Sequence, residues 1–441
     1  MDKSFFLDDP TTSIGFFGIG KSNLSLISAL PSGRRITLRS DKTIDRTKIP
    51  HHVRVENVYE GESALSDIRE EVLVLSPSAR RDRPELSEAV LRGVTLTSDC
   101  ELFFSKVSAP VLAVSGSAGK STTATLAHLM LGGKDGGYRL VGNVGVPMLH
   151  SIDGEAMGYV AELSSFMLEY YTPRTRRYAL TNITPNHLDF HSSFEEYKEA
   201  KLRPLNLSDG GIICADDETL SRETYRHLFA VYSTRLSISA LATRYRAEVY
   251  FTLDSGYICR NGERVLSADG PQYKMLNTMC ALAMVDGISD KDEALEAARS
   301  FKNLSHRCDT VYSKNGVDFI DSSIDTTPDR CATTLTSLGR QVVLLLGGRG
   351  KGLSYDVMLP PVLKYARFAV LFGEESERIF SLLSGKVECA VCPDFADAVR
   401  LAASVAKNGE AVLLSPACTS YDAFSDYEER ARAFCSIVRS L

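Results

Sequence analysis

The sequence predicts an α/β protein built from three domains. Its 441 residues correspond to about three domains of average size. Short apolar runs alternate with helix-like segments along the chain, which is typical of parallel strands joined by crossover helices. Hydrophobic residues make up 44% of the chain and charged residues 24%. This composition excludes a disordered or collagen-like chain.

Each domain follows from its own run of predicted elements. The first is expected over residues 1–98, where strand-like runs begin at Ile14, Arg35 and Val72. The second is expected over residues 99–304 and opens with a buried strand at 110–115, a glycine-containing turn and a helix at 121–130. The third is expected over residues 305–441 and ends in a helix at 424–438. Its predicted strands are 317–320, 342–346, 369–372, 387–391 and 411–414.

The charge balance excludes several classes of partner. Lys and Arg number 50 against 56 Asp and Glu, a formal net charge of −6, so no overall positive field exists to hold nucleic acid. Every apolar run is far shorter than the ~18 residues of a membrane span, which predicts neither a signal peptide nor a membrane anchor. The ten cysteines are scattered rather than regularly spaced, and this indicates a reducing cytoplasm.

A phosphate-binding turn is predicted at residues 116–121, Gly-Ser-Ala-Gly-Lys-Ser, here called the phosphate loop. It follows a strand and opens a helix, a context in which backbone N–H groups and the helix dipole hold phosphate. The lysine adds positive charge there, and the last serine can bind the Mg²⁺ of a nucleotide. Val114 stands where the full Walker pattern has its first glycine, so an ordinary strand-to-helix turn is the alternative. Residues 15–22 form a weaker candidate for a second diphosphate site.

Four further polar residues are candidates because of their places along the predicted elements. Glu162 and His187 follow strands, at the sheet edge where α/β proteins bind ligands and where a carboxylate can hold Mg²⁺. Lys201 follows a capping box at residues 193–196 that predicts a helix. Asn277 lies in an apolar helix-like segment, where a buried amide needs a partner. Taken singly, the first three also fit a solvated acid, a structural histidine and a surface lysine.

Taken in order, the motifs resemble those of the Mur ligase family, and most closely its D-glutamate-adding branch. The resemblance extends over essentially the whole chain. The matching stretches are residues 18–25, 76–77, 116–121, 142–147, 161–166, 182–189, 197–203, 306–307, 347–351 and 414–420. Any one of them is weak evidence, but ten in the same order are strong evidence.

The resemblance implies a three-domain ligase, with Rossmann-like first and third domains and a central domain of the P-loop ATPase type. It implies that the first domain binds UDP-N-acetylmuramoyl-L-alanine, the central domain ATP, and the third domain D-glutamate. ATP would phosphorylate the substrate carboxylate to an acyl phosphate, and the amine of the amino acid would then attack it to form an amide. The product would be a peptidoglycan precursor, made in the cytoplasm by a monomer.

The resemblance also implies a role for each matched residue. Lys120 would neutralise the transferring phosphoryl group, and two Mg²⁺ ions would be held by Ser121, Glu162, His187 and a carbamylated Lys201. A free ammonium beside two Mg²⁺ ions would be repelled, whereas a carbamate can bind metal. The residues implied to contact ATP are Gly116, Ser117, Ala118, Gly119, Lys120, Ser121, Thr122, Asn277, Arg307 and Asp321. Those implied to contact the UDP substrate or the amino acid are Ser22, Ser40, Asn143, Thr326, Lys351, Ser420 and Tyr427.

The largest departure from the family pattern lies at residues 321–328. Ile324 stands where the family commonly has a lysine, and Ser322 stands where it commonly has an aspartate. The neighbouring Asp321 and Asp325 are candidates to replace that aspartate in its contact with the ATP ribose. Arg39 stands where an acidic residue near the uracil is common. Two alternatives therefore remain. One is a Mur-type ligase for another amino acid or acceptor, such as the folate-polyglutamylating enzymes, and the other is an inactive nucleotide- and UDP-sugar-binding homologue.

Overall fold

A computed structural model describes residues 9–187, 190–225, 228–301 and 306–441 of the chain. Within these ranges the strands form three sheets, of five, nine and six strands, with helices between most successive strands. The predicted α/β class with three sheet-containing regions is confirmed. No helix in the described ranges is long and apolar enough to cross a membrane.

The first sheet is entirely parallel, in the order β3-β2-β1-β4-β5. Its strands are β1 (Ile14–Phe17), β2 (Arg35–Ser40), β3 (Arg54–Glu60), β4 (Val72–Leu75) and β5 (Thr95–Thr97), and its helices are α1 (Lys21–Ser28) and α2 (Pro84–Leu91). Successive residues of β4 face opposite sides, so Val72 and Val74 pack in one apolar core and Leu73 and Leu75 in another. Burial on both faces explains why this strand is a continuous apolar run.

The second sheet has the order β14-β13-β12-β11-β10-β9-β6-β8-β7. Its strands are β6 (Val111–Ser115), β7 (Tyr138–Gly142), β8 (Gly158–Glu162), β9 (Arg177–Leu180), β10 (Gly211–Cys214), β11 (Leu228–Ser233), β12 (Ala247–Asp254), β13 (Tyr257–Arg260) and β14 (Glu263–Ser267). The accompanying helices are α3 (Asp99–Lys106), α4 (Lys120–Met130), α5 (Ser165–Glu169), α6 (Phe194–Leu207), α7 (Glu218–Arg222), α8 (Ile238–Arg244), α9 (Gln272–Val285) and α10 (Lys291–Ser300). Pairing is parallel except where β13 joins β12 and β14.

The third sheet has the order β15-β16-β20-β17-β18-β19 and is parallel except for the pair β15–β16. Its strands are β15 (Asp309–Lys314), β16 (Val317–Asp321), β17 (Val342–Gly347), β18 (Ala366–Phe372), β19 (Glu388–Val391) and β20 (Ala411–Leu414). Its helices are α11 (Pro328–Leu338), α12 (Leu359–Tyr365), α13 (Ser376–Leu383), α14 (Phe395–Val405) and α15 (Tyr427–Ser440). All five predicted strands of this region are present.

Side-chain caps define the starts of two helices that the sequence predicts. The Ser193 hydroxyl accepts a hydrogen bond from the Glu196 N–H at 3.1 Å, which confirms the predicted capping box before α6. The predicted start of the last helix at residue 424 is wrong by three residues. The Asp426 carboxylate accepts the Glu429 N–H at 2.7 Å and so begins α15 at Tyr427.

By contacts between residues, the chain forms two compact units. The first comprises residues 1–183, 193–269 and 275–300, so it contains the first two sheets, and the second comprises residues 184–192, 270–274 and 301–441. The predicted boundary at 98/99 falls at Ser98, the N-cap of α3. The predicted boundary at 304/305 lies outside the described residues. Both domain boundaries stay predictions.

Candidate active site

The phosphate loop joins β6 to α4. Gly116 has φ +143° and Gly119 has φ +84°, backbone conformations that L side chains rarely adopt, so both positions favour glycine. Lys120 is the first residue of α4, which places the positive end of the helix dipole and the N–H groups of the first turn at the loop. Ser121 and Thr122 follow in that first turn. This arrangement is an anion-binding site at a helix N-terminus.

The Lys120 side chain folds back over the loop. Its Nζ donates hydrogen bonds to the carbonyl oxygens of Gly116, at 2.9 Å, and Ser117, at 3.2 Å. The positive charge is therefore held next to the backbone that would surround a phosphate. The phosphate-neutralising role of Lys120 stays a prediction.

Two residues just after β9 hold the loop in shape. The Ala118 N–H donates to Asn182 Oδ1 at 2.8 Å, and Asn182 Nδ2 donates back to the Ala118 carbonyl at 3.1 Å. The Thr181 hydroxyl donates to the same carbonyl at 2.5 Å. Ser115 pairs with Leu180 in the parallel ladder, so the ends of β6 and β9 lie side by side. The sequence predicts no individual role for Thr181 and Asn182. Their position as polar residues directly after a strand could have indicated one.

Helix α6 places two side chains against the phosphate loop. Tyr197 and Lys201 lie one helical turn apart and therefore on one face. The Tyr197 hydroxyl is 2.7 Å from the Ser117 hydroxyl, and Lys201 Nζ donates to the Ser115 hydroxyl at 3.1 Å and the Gly116 carbonyl at 3.0 Å. Lys201 is 1% exposed. The surface-lysine alternative is therefore wrong for this residue.

The surroundings of Lys201 favour an uncharged amine. Burial lowers the pKa of Lys201 well below its usual range, and the positive charge of Lys120 lowers it further, against a smaller opposing effect of the Glu162 carboxylate. A neutral amine is the form that reacts with CO₂ to give a carbamate. The carbamylation of Lys201 that the family resemblance implies stays a prediction.

Glu162 ends β8 and lies beside β6 and β7. It pairs with Val114 and Gly142 in the two parallel ladders, which brings it to the same sheet edge as the phosphate loop. Its side chain is buried, and Asn143 Nδ2 donates to its Oε1 at 2.9 Å. The solvated-acid alternative is therefore wrong. Asn143, predicted to contact the substrate, orients this carboxylate.

The site fits a divalent cation. Glu162 Oε2 is buried and has no hydrogen-bond partner in the described part of the chain. An ionised oxygen in that position is unfavourable unless a cation binds it, and carboxylate and hydroxyl oxygens are the ligands that Mg²⁺ prefers. Glu162 with the hydroxyl of Ser121 would supply ligands for one such ion.

Asn277 contacts the phosphate loop from α9. A Cβ atom on Gly119 would lie 2.4 Å from Asn277 Oδ1, so the amide packs directly against the glycine backbone. Asn277 is 8% exposed. The structure brings Asn277 to the phosphate loop, and its contact with ATP stays a prediction.

His187 belongs to the second compact unit, in the segment 184–192. Its φ is +55°, and its N–H donates to Asn186 Oδ1 at 2.9 Å. The following residues of the matching motif, Leu188 and Asp189, lie outside the described residues. The metal-binding role of His187 stays a prediction.

A separate cavity of about 470 Å³ opens at the carboxyl ends of the strands in the first sheet. Its walls are the segments that follow β1, β2 and β4, and Ser40 is among them. The strand order reverses between β1 and β4, and α/β sheets bind ligands at such a point. Ser22 lies in α1 and does not line this cavity, so its substrate contact stays a prediction.

Arg39 has a structural role in the first sheet. Its guanidinium forms a two-bond ion pair with Glu70, at 2.8 and 3.1 Å, and also donates to the carbonyl oxygens of Ala64, Ser66 and Asp67. It is 1% exposed and lies over the ring of Tyr59. The unusual residue at position 39 is thus part of the fold of the first sheet.

In the second unit, Asp321 ends β16 and is fully buried. One of its oxygens lies 2.6 Å from His306 Nδ1, and the other accepts the Ser323 N–H at 2.9 Å. Asp325 instead points into the core, where it accepts a hydrogen bond from the Ser415 hydroxyl at 2.7 Å. Both aspartates are thus buried and hydrogen-bonded within the second unit, and the ribose contact of either one stays a prediction.

The residues predicted for the amino-acid pocket lie on loops of the second unit. Lys351 Nζ is 3.4 Å from the Thr326 hydroxyl, which brings these two together. Ser420 is buried, in the segment that follows β20, and Tyr427 begins α15. The Arg307 charge acts on the Tyr427 phenol, whose pKa is raised chiefly by burial and slightly lowered by this guanidinium.

Sequence analysis missed Arg430, which joins these loops. It is fully buried and donates to Ser323 Oγ and O, to the Cys418 carbonyl and to the Thr419 carbonyl, at 2.9–3.2 Å. Its burial lowers the pKa of the guanidinium to about 10. In the sequence, only its position on the inner face of an amphipathic helix could have indicated that Arg430 is buried.

The fold and the site together define a class: multi-sheet α/β proteins with a nucleotide-type phosphate loop. Comparison with known proteins places the chain in a family of this class. The family model for the Mur ligase middle domain matches residues 114–285, and that for the Mur ligase, glutamate ligase domain matches residues 306–418. The chain belongs to the Mur ligase family, and its class of activity is ligation.

Curated relatives are similar over nearly the whole chain. The UDP-N-acetylmuramoylalanine–D-glutamate ligase of Acetivibrio thermocellus is 31% identical, over 97% of this chain and 96% of its own. The protein of the same name from Methylococcus capsulatus is 34% identical, over 84% and 81%.

Solved structures support the fold. The UDP-N-acetylmuramate-alanine ligase of Thermotoga maritima has a TM-score of 0.61 at 17% identity, over 97% of this chain and 99% of its own. The MurF ligase of the same organism, in complex with ADP, has a TM-score of 0.59 at 15% identity, over 98% and 99%.

Proposed function

We propose that this protein is an ATP-dependent ligase that adds D-glutamate to UDP-N-acetylmuramoyl-L-alanine in the synthesis of peptidoglycan precursors. The observation that supports it most is the buried pair of Lys201 and Glu162 beside the phosphate loop. A protein that only bound nucleotide would need the loop but not a buried amine with a lowered pKa. The choice of substrates rests on the relatives that bear this name and align over nearly the whole chain.

ATP is assigned to the phosphate loop. Backbone N–H groups of the loop and Lys120 bind its phosphates, and Asn277, which lies against Gly119, contacts the same nucleotide. Ser121 and Glu162 would hold one Mg²⁺, and carbamylated Lys201 would bind a second. When bound, such ions neutralise the charge on the transferring phosphoryl group.

The reaction has two steps. The carboxylate of the UDP substrate attacks the γ-phosphorus of ATP, which forms an acyl phosphate and releases ADP. The amine of D-glutamate then attacks the carbonyl carbon, loses a proton, and the tetrahedral intermediate expels phosphate to leave an amide. The first-sheet cavity holds the uridine diphosphate, and Lys351, whose charge suits a second carboxylate, contributes to the amino-acid pocket with Thr326, Ser420 and Tyr427. We assign the enzyme to the cytoplasm as a monomer; its ten cysteines are all free thiols.

The direct test is phosphate release from ATP, with Mg²⁺ and UDP-N-acetylmuramoyl-L-alanine, against a panel of D- and L-amino acids. Release that requires D-glutamate is the expected result. Release with a different amino acid would assign another specificity. No release with any of them would contradict the proposal and favour another acceptor or a binding protein.

A pair of lysine variants tests the assigned chemistry. Lys201→Ala should abolish ligation, and added short carboxylates should restore part of it if a carbamate is the working group. Lys198→Ala is the matched control, because Lys198 lies on the same helix and pairs with Glu195 and Glu223 instead. Unchanged ligation in Lys201→Ala would remove the assigned role.

A further inference from the structure

Three side chains next to the loop that precedes Lys351 are joined by hydrogen bonds: Tyr355, Glu375 and Cys418. Tyr355 is 5% exposed, and its hydroxyl donates to Glu375 Oε2 at 3.0 Å. The same hydroxyl lies 3.1 Å from the Sγ atom of Cys418. Because a carboxylate only accepts, the phenol donates to Glu375 and is left to accept from the thiol. The three side chains thus form one directional chain of hydrogen bonds.

Glu375 fixes the glycine segment that leads into Lys351. Its N–H donates to the Gly348 carbonyl at 3.0 Å. A Cβ atom on Gly350 would lie only 2.6 Å from Glu375 Oε1, so the backbone of Gly350 packs directly on the carboxylate. Glu375 therefore contacts both ends of the three-residue stretch before Lys351, Gly348 through its backbone and Gly350 through its side chain.

The other end of the chain of hydrogen bonds reaches the segment that contains Ser420. Arg349 and Thr419 exchange two backbone hydrogen bonds, at 3.0 and 2.9 Å, which join the two loops. Cys418 precedes this bridge, and its thiol contacts Tyr355. Tyr355 and Glu375 thus touch both loops that bear predicted amino-acid contacts, although neither residue is itself among those contacts.

We propose that Tyr355 and Glu375 are positioning residues that set the place of Lys351 and Ser420, and so the affinity for an incoming amino acid with a second carboxylate. This rests on the proposed function. The two residues act through the loops: the Glu375 carboxylate packs against the Gly350 backbone, and the Tyr355 phenol fixes that carboxylate relative to Cys418. Loss of the Tyr355–Glu375 hydrogen bond, or of the packing of Glu375 on Gly350, lets the Lys351 side chain move. The ATP and UDP sites stay intact.

Steady-state kinetics of three variants test the proposal. Tyr355→Phe and Glu375→Ala should each raise the KM for D-glutamate about tenfold, with the KM for ATP and for the UDP substrate changed less than about twofold. Glu375→Gln keeps an oxygen that accepts from Tyr355 and should restore most of the affinity. A purely structural role would instead lower the melting temperature and kcat while the KM for D-glutamate stays unchanged, and this result would overturn the proposal.

Glu374→Ala is the matched control. Glu374 is the adjacent acid on the same turn, and it forms an exposed pair with Arg349 at 2.6 Å. Removal of that surface pair should leave the KM for D-glutamate unchanged. An equal rise of this KM in Glu374→Ala and Glu375→Ala would show a non-specific charge effect and contradict the proposal.

Hydrogen–deuterium exchange gives a readout that does not need turnover. Peptides that cover residues 347–353 should exchange faster in Tyr355→Phe and Glu375→Ala than in wild type or Glu374→Ala. If the wild type ligated no amino acid, the proposed function would fail, and these rates would still decide the positioning role. Unchanged exchange in both variants would refute it.

Discussion

Lys201 Nζ donates a hydrogen bond to the carbonyl oxygen of Gly116, 3.0 Å away, within the phosphate loop. Its other acceptor is the Ser115 hydroxyl. A neutral amine has two N–H donors, so these two bonds use both and leave the nitrogen lone pair for reaction with CO₂. The fold therefore favours the uncharged, reactive form of this lysine next to the loop assigned to ATP.

The first prediction concerns stability against pH. Because the pKa of Lys201 is lowered in the folded state, the unfolded chain binds a proton that the native protein lacks between that pKa and the unfolded value of about 10.4. The free energy of unfolding of wild type, relative to Lys201→Met, should therefore increase as the pH rises from the lowered native pKa toward the unfolded value. Urea denaturation in CO₂-free buffer measures it. Lys198→Met should show no such trend, and parallel profiles for wild type and Lys201→Met would contradict the assignment.

Tyr197→Phe should weaken ATP binding. The substitution removes a hydrogen-bond partner of the buried Ser117 hydroxyl, at a cost of about 1 kcal/mol, and loosens the phosphate loop. We expect the KM for ATP to rise about fivefold. Tyr225→Phe is the control, because it loses a similar bond, to the Leu220 carbonyl, away from the loop. The same KM in both variants would argue against a role of Tyr197 in shaping the loop.

Arg39→Ala should destabilise the protein by about 3–5 kcal/mol, because it leaves the buried Glu70 carboxylate without its ion-pair partner. Arg35→Ala, on the same strand, breaks only an exposed pair with Glu56 and should cost less than about 1 kcal/mol. Chemical denaturation of both variants provides the comparison. A similar small loss for both would mean that the Arg39 pair contributes little.

Glu169→Gln should be stabilising in alkaline but not in acidic solution. Burial, followed by the adjacent Glu196 carboxyl, raises the pKa of Glu169 to about 7. Between the unfolded pKa of about 4.3 and that value, the native state holds a proton that the unfolded chain lacks, so wild-type stability falls as pH rises. Because the group is partly in solvent, the gain of the variant at pH 8 should be on the order of 1 kcal/mol. An equal effect at pH 4 and pH 8, by thermal denaturation, would rule out this origin.

The local pattern of apolar residues was enough to predict many of the strands and helices. Strand β17 was predictable because Val342, Leu344 and Leu346 pack on one face and Val343 and Leu345 on the other, which gives an unbroken apolar run. The antiparallel strands β13–β15 were not predicted, because their mixed polar pattern resembles the turns around them. The start of α15 was missed because Asp426, a residue within the predicted helix, caps it instead.

By itself, the sequence determined the strand and helix pattern, the phosphate loop and the family motifs, because each depends on residues close together in the chain. Only the tertiary structure decided that Lys201 lies under the loop, 85 residues from Gly116, and that Arg39 pairs with Glu70, 31 residues away. Parallel strands joined by crossover helices bring such residues together through the register of the sheet, and no local spacing encodes that register. Burial then gives these polar groups their altered pKa values and their fixed partners.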